Sequence, residues 1–544
     1  MVRLPVMLLS ALAALHIPGT RAGFPNVVPT AGDPWPRPSR LEWSPTFFRV
    51  DVNHVHINIT GESCPDLEEA TARYEKIIDE FIIIWRAVLK SYKQPAGNGG
   101  RLSDGPPVLD TIEMELRSGC NSSQYPEFGM DESYELKVNT PDAPERAVII
   151  ADTIWGAYRG LETMSQLFYL DSEVFAVFVR NAYIQDYPRY KHRGLLLDTG
   201  RHFLSVDIIK QNLDLMAFHK YNVFHWHVVD DPSFPFYSTK IPFISLFGAY
   251  RADKFYNPDD VADIIEYARK RGIRVIPEFD TPGHVRSWGA GIPGLLTECY
   301  TNGTRNGKYG SINPTDDVVY ALLAELFDEI TKRFPDKYLH LGGDEVNFGY
   351  ECWMSNPEVR KWMQKLNLTT PQEIEDVYIR RLLELVEGLP SRPEYIVWQD
   401  VVDHNVTLQP NTIVEVWKEP WLEELDTVTL SGHRAILSTC WYLNRISYGI
   451  DWPKYYSCEP ESFNGTDAQN QLVIGGEACM WGEYVDNSNV ISRTWPRAAA
   501  PAERLWSPKN VTSVSEAKAR LEEQRCRLVY RGFGVEPSNG PGFC

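Results

Sequence analysis

The segment His340-Leu341-Gly342-Gly343-Asp344-Glu345-Val346 closes a short apolar run, Tyr338 to Leu341, with two glycines and then two adjacent carboxylates. Two acids side by side where a strand stops are a candidate acid/base site. Like charges this close resist ionising together, so their pKa values are pushed apart, and one group holds a proton while the other stays anionic. Taken alone the pair is also compatible with a solvated acidic turn, since Asp and Glu are mostly exposed. The elements around it decide.

From Arg189 onward the chain repeats short apolar runs, each followed by a loop and most by a helical pattern. The strand candidates are Gly194-Asp198, Val223-Val229, Arg274-Phe279, Tyr338-Leu341, Tyr395-Trp398, Thr412-Trp417, Ala435-Thr439 and Val473-Ala478. Helical spacing of Val319, Leu322, Leu323, Leu326 and Ile330, and Asn257-Pro258 ahead of Val261, Ile264, Ile265 and Ala268, mark helices between them. Eight such units predict an α/β fold, a (β/α)₈ TIM barrel over 189–544 with a C-terminal extension, whose site lies at the C-terminal ends of the strands. Those ends carry Asp198 and Arg201, Asp230-Asp231, Glu278, Asp280 and His284, Asp344-Glu345, Trp398, Trp417, Trp441 to Arg445, and Trp481-Gly482-Glu483. Carboxylates, an arginine and tryptophans in one rim suit a carbohydrate: ring faces meet sugar C–H faces, and charged groups bind hydroxyls.

Residues 23–188 read as a smaller α+β domain. Arg49 to Thr60 alternates like a strand, Ile78, Phe81, Ile82, Trp85 and Leu89 share a helical face, and a Gly-rich stretch covers 94–107. Strand alternation follows at 112–116 and 134–138, then a helix at about 155–168 and a closing strand pair over 174–184. Ahead of this, residues 1–22 have the layout of a cleaved secretory signal: Arg3, the apolar stretch Val6 to Leu15, then small residues. No later run is long and apolar enough for a transmembrane anchor, so a location in the secretory pathway or beyond it is expected.

The formal charge of −19 over 544 residues argues against nucleic acid as a partner. Sequons begin at Asn58, Asn121, Asn302, Asn367, Asn405, Asn464 and Asn510 and are candidate glycan sites on surface loops. Nine cysteines, widely spaced, read as scattered staples with one left over rather than as zinc knuckles.

Four segments resemble the β-N-acetylhexosaminidase family: His340 to Val346, Phe224 to Asp231 (Phe-His-Trp-His-Val-Val-Asp-Asp), Glu278 to His284 (Glu-Phe-Asp-Thr-Pro-Gly-His) and Gly475 to Glu483 (Gly-Gly-Glu-Ala-Cys-Met-Trp-Gly-Glu). The resemblance covers nearly the whole chain after the leader and implies an exo-acting retaining hydrolase that removes terminal β-linked N-acetylglucosamine or N-acetylgalactosamine. It implies substrate-assisted catalysis, an exception to the two-carboxylate scheme, in which the sugar's own acetamido oxygen is the nucleophile. On the matching positions Glu345 is the general acid and then base, and Asp344 holds the acetamido N–H. Tyr442 donates to the acetamido oxygen, and Trp398, Trp417 and Trp481 are the walls. Arg201 and Glu483 are hydroxyl clamps, while Asp230 and His284 form a polar chain beside the acid. No cofactor or metal is implied.

Asn444-Arg445 is similar to the α-type subunit of the lysosomal members, which implies acceptance of 6-sulfated sugars. The family's dimers imply a homodimer or a heterodimer with a related subunit, lysosomal or secreted. Three family bridges match Cys64-Cys120, Cys299-Cys352 and Cys526-Cys544, and Cys479 matches an unpaired buried cysteine. Two features depart from the family: Cys440 and Cys458 have no counterparts and are expected to pair with each other. The stretch Tyr300 to Tyr309 carries the Asn302 sequon where the α-type chain has an acidic loop for a lipid-presenting activator, which leaves ganglioside turnover open.

Two rival readings use the same residues. His225-x-His227 with Asp230 and Asp231 is how some metal-dependent barrel hydrolases begin a site, although the ends of strands five, six and eight add no further histidine. A glycan-binding protein on the same fold would typically have lost the acid or its partner, and both Asp344 and Glu345 are present.

Overall fold

A computed structural model describes residues 27–50, 54–91, 106–171, 176–445, 447–542 and 544. The expected leader, 1–22, and most of the Gly-rich stretch 94–107 lie outside them. The N-terminal domain is a mixed seven-stranded sheet of β1 (Arg40–Arg49), β2 (His56–Gly61), β3 (Thr111–Leu116), β4 (Tyr134–Thr140), β5 (Ala143–Ala151), β6 (Phe168–Asp171) and β7 (Ala176–Asp186). Its order is β1-β7-β4-β5-β3-β2, with β6 also paired to β7. The helices Pro65–Ser91 and Ile154–Gln166 pack on it, and the first buries Ile78 and Ile82.

Two expectations shift here. The alternation over 49–60 spans two elements, since β1 ends at Arg49 and β2 begins at His56. Of the 174–184 stretch, residues 174–175 lie outside the described residues, and the rest belongs to one strand, β7, whose antiparallel partner is the earlier β6. The sequence of β1 hides its strand because the register breaks between Trp43 and Phe47, where Ser44-Pro45 sits. An edge strand tolerates a proline at such a break.

The second domain is a closed parallel barrel containing all eight expected strands: β8 (His192–Asp198), β9 (Val223–His227), β10 (Arg274–Glu278), β13 (Tyr338–His340), β14 (Glu394–Trp398), β15 (Ile413–Val416), β16 (Arg434–Leu437) and β17 (Val473–Met480). An antiparallel hairpin, β11 (Leu296–Thr301) and β12 (Thr304–Ile312), is inserted after β10.

Inward positions recur at every second residue, so the barrel fills in layers. Val223, Ile276, Tyr338, Ile396, Ile413 and Ile436 make an apolar floor against which Phe128 of the N-terminal domain packs. Two residues further along the same strands come His225, Glu278, His340, Trp398, Glu415 and Ser438, all buried. The floor end is where the domains lock together. Glu132 bonds Arg193 at 2.6 Å and Arg159 at 2.9 Å, and Arg159 also donates to the Gly272 carbonyl at 2.9 Å. Such buried charges are tolerated because each is paired and hydrogen-bonded. The opposite, C-terminal ends of the strands stay open.

Candidate active site

Asp344 and Glu345 follow β13 on a turn that only glycine can make. Gly342 and Gly343 have φ of 69° and 97°, and a Cβ on Gly342 would lie 1.8 Å from Asp280 Oδ1. The close approach lets the Gly343 N–H donate to Asp280 Oδ1 at 2.8 Å. Glu345 is itself left-handed, φ 52°, with its N–H held by Asp400 Oδ1 at 3.1 Å. That conformation costs ~1–3 kcal/mol in a non-glycine residue and persists only where surroundings impose it. It separates the two acids: the Asp344 side chain is 12% exposed and that of Glu345 36%.

Their electrostatics diverge accordingly. Burial pushes the Asp344 carboxyl up to about 6, against the opposing pull of His284. Burial, reinforced by the Asp344 charge, raises Asp280 well above the usual carboxylate range, and the two carboxyls are hydrogen-bonded. Two buried carboxyls this close resist ionising together, and the stronger upward push on Asp280 favours the proton there, leaving Asp344 the more anionic of the two. Glu345 is held below its ordinary value, chiefly by its hydrogen bond to His284. His284 Nε2 lies 3.3 Å from Glu345 Oε2 and 3.6 Å from Asp344 Oδ2. Its Nδ1 is 3.2 Å from Asp230 Oδ1. Burial opposes charging His284, but these carboxylates outweigh it and raise its pKa well above the usual value.

Behind His284 the chain of partners continues inward. Asp230 Oδ2 meets His227 Nε2 at 3.0 Å, and His227 Nδ1 is bound to Glu278. Glu278 also accepts from Trp398 Nε1 at 2.7 Å. One buried carboxylate on β10 thus orients both the proton chain and an aromatic wall.

That wall belongs to a box. Trp398 lies 6.5 Å from Trp417 and 5.8 Å from Trp481, and Tyr442 stacks on Trp417 at 6.0 Å. Tyr442 is placed by a bridge to Cys479 on β17, with the Leu443 N–H donating to the Cys479 carbonyl at 2.8 Å. A Cys440–Cys458 disulfide closes the loop that carries it. The other bridges are Cys64–Cys120, Cys299–Cys352 and Cys526–Cys544, and Cys479 is buried and free.

Arg201 enters from β8 with Nη1 2.8 Å from Asp198, Nη2 3.1 Å from Asp230 and Nε 3.8 Å from Glu483. Asn444 Nδ2 reaches Glu483 Oε2 at 3.5 Å, and Arg445 lies over the Tyr442 ring at 5.7 Å. Every residue expected at the site thus converges on one end of the barrel.

Sequence reasoning passed over the roles of Asp280 and Glu278, and did not find Asp400. The last accepts from Trp417 Nε1 at 2.8 Å, binds Lys418 at 2.6 Å and holds the Glu345 backbone. Its signal was an acid two residues beyond Trp398 at a strand end. All seven sequon asparagines are exposed, but Asn58 lies in strand β2 rather than in a loop.

The clusters His225–Glu278–His340 and His225–Glu415–Glu477 bring ligand-type atoms within 4.8 Å of one another. Burial opposes charge on His225, yet Glu477 and Glu278 raise its pKa well above the usual value. In both clusters the His225 ring is already engaged by carboxylates, Nδ1 by Glu477 at 2.7 Å and Nε2 by Glu278 at 3.1 Å. His227 is likewise held between Asp230 and Glu278.

The polar chain makes a pH prediction. His284→Asn removes the cation that holds Glu345 low, so the Glu345 pKa rises. A general acid works only below its pKa, so the alkaline limb of kcat/KM should move to higher pH, with an overall loss of about tenfold or more. A limb that stays in place or moves down in the pH–rate profile would contradict the chain.

The chain is similar to known proteins along most of its length. Residues 190–509 match the model of the catalytic domain of glycosyl hydrolase family 20, and 34–167 match a model described as beta-acetyl hexosaminidase like. The chain is 45% identical over 518 residues to the beta-hexosaminidase subunit beta of Mus musculus, covering 94% of this chain and 92% of that one. It is 42% identical over 520 residues to the subunit alpha of Rattus norvegicus, covering 94% of each. Among solved structures, the chitobiase of Flavobacterium johnsoniae superposes with a TM-score of 0.77 at 28% identity, over 92% of this chain and 73% of that one.

Proposed function

Because the chain belongs to glycosyl hydrolase family 20 and is a glycoside hydrolase of the β-hexosaminidase type, we propose that it removes terminal β-linked N-acetylglucosamine and N-acetylgalactosamine by substrate-assisted catalysis with retention. The observation that carries this reading is the division of labour between the two acids. Asp344 is buried beside Asp280 and near the aromatic box, whereas Glu345 faces outward on His284.

A 2-acetamido group in the box would meet Tyr442 at its oxygen and Asp344 at its N–H, with Trp398, Trp417 and Trp481 around its methyl group. The acetamido oxygen attacks the anomeric carbon while Glu345 gives its proton to the leaving oxygen. The resulting oxazolinium carries its positive charge against the Asp344 carboxylate, in a site shielded from water where such pairing is strong. Glu345, now anionic, then takes a proton from the incoming water. Arg201 and Glu483 clamp the ring hydroxyls, and the fixed Asp198 and Asp230 partners keep Arg201 preorganised.

The decisive experiment is a series of chromogenic N-acetylglucosaminides whose acetyl group carries zero to three fluorines. Rates should fall steeply as the amide oxygen loses basicity; a flat series would point to an enzyme carboxylate as nucleophile.

Arg445 supports a finer reading, acceptance of 6-sulfated sugars. It has no carboxylate partner among the described residues and lies beside Asn444 at the rim of the box. Arg445→Leu should lower kcat/KM on a 6-sulfated glucosaminide about tenfold or more relative to the neutral one, as expected for losing a charge-assisted hydrogen bond. Equal losses on both substrates would remove the assignment. The relatives are named as subunits, and we read this chain likewise as one half of a homo- or heterodimer acting in a lysosomal or secreted setting.

A further inference from the structure

The general acid also indicates where the rest of the substrate goes. Glu345 must face the leaving oxygen, so once the terminal sugar fills the aromatic box, everything beyond that oxygen lies on the outer side of Glu345 and His284. A small cavity of about 70 Å³ opens there, bordered by Glu345, His284 and Asp231. It shares Arg286, Tyr309 and Phe348 with a trough of about 1110 Å³ that runs along the β11–β12 hairpin. That volume exceeds a typical small-ligand site and accommodates more than one sugar ring.

The two aromatics at the junction are unusually open: Tyr309 is 52% exposed and Phe348 76%. Phe348 sits on the turn Val346–Gly349 immediately after Glu345, and Tyr309 on β12. Both are anchored from behind. The Cys299–Cys352 disulfide ties β11 to the helix Tyr350–Ser355, and the Asn356 amide donates to the Glu298 carbonyl at 2.9 Å. A Cβ on Gly310 would lie 2.6 Å from Cys352 Cβ, so the hairpin lies close against that helix. The trough's lining is balanced in charge, Arg286, Arg305 and Lys308 against Glu298, Glu351 and Glu358, with Arg305 paired to Glu298 at 2.8 Å. An uncharged ligand with flat apolar faces and many hydroxyls fits such a surface.

We infer that this trough is a leaving-group site in which Tyr309 and Phe348 are stacking platforms for the second and later sugars of an uncharged β-linked oligosaccharide. The inference rests on the hydrolase reading given above, because Glu345 as acid fixes its direction. Longer chains should then be cut faster than short ones.

The test compares kcat/KM on β-linked N-acetylglucosamine di- and tetrasaccharides with that on the methyl β-glycoside, which has nothing to place in the trough. The ratio of tetrasaccharide to methyl glycoside should fall about fivefold in Tyr309→Ala and in Phe348→Ala, the size of one lost aromatic stacking contact. Phe348→Tyr, which keeps a ring, should restore it. A wild-type ratio that does not rise between disaccharide and tetrasaccharide, or alanine variants with unchanged ratios, would overturn the trough while hydrolysis of the methyl glycoside stands. No turnover of any of the three would overturn the hydrolase reading and this one together.

Discussion

Glu345→Gln is expected to lower kcat/KM on an oligosaccharide by about 10³-fold, the middle of the range for a positioned acid or base. The size should depend on the leaving group. An unactivated sugar hydroxyl must be protonated as it departs, whereas a dinitrophenolate leaves without help. The first step of the variant should therefore recover most of its rate on a dinitrophenyl glycoside and then stall, because the same residue must activate water in the second. Single-turnover and steady-state measurements on the two substrates separate the steps. An identical loss on both leaving groups at the first step would mean that Glu345 is not the proton donor.

Asp344→Asn should cost about 10²–10³-fold in kcat/KM, as for removal of one oriented electrostatic partner of a transition-state charge. A thiazoline that mimics the cyclised acetamido group should lose affinity by a similar factor; unchanged thiazoline binding beside a large rate loss would sever Asp344 from that intermediate.

The same substitution should stabilise the fold, with a definite pH sign. The folded-state pKa of Asp344 is about 6 against an ordinary 3.8. The folded protein thus binds this proton more tightly than the unfolded chain, so wild-type stability declines as pH rises through that window and levels off above it. Two pKa units correspond to ~3 kcal/mol, an upper figure because Asp280 shares the proton. The Tm gain of Asp344→Asn should accordingly be larger at pH 7 than at pH 4, and the reverse order would mean that the carboxylate is not held against its preference.

The barrel was legible because its strands are short apolar runs between loops, and all eight sit where those runs are. Site membership was legible for the same reason: side chains at strand ends converge once the barrel closes. Strand β1 was not, since Ser44-Pro45 interrupts its alternation, and the extent of β7 was missed because its partner precedes it. The raised pKa of Asp280 could not be read at all, because it arises from burial beside Asp344 and from the missing Cβ of Gly342. Asp400 escaped for a related reason: its importance lies in three partners, Glu345, Trp417 and Lys418, that only the fold assembles.

The β11–β12 hairpin is pinned at its base by Cys299–Cys352, while its outer residues, Thr301 to Tyr309, are all exposed. Covalent attachment at one end and freedom at the other make this tip an exchangeable cassette. A graft replacing 301–308 with a tip of different length or chemistry would leave the turn that carries Asp344 and Glu345 intact. Which oligosaccharides are accepted could thus be rewritten, by engineering or by mutation, independently of how the bond is broken.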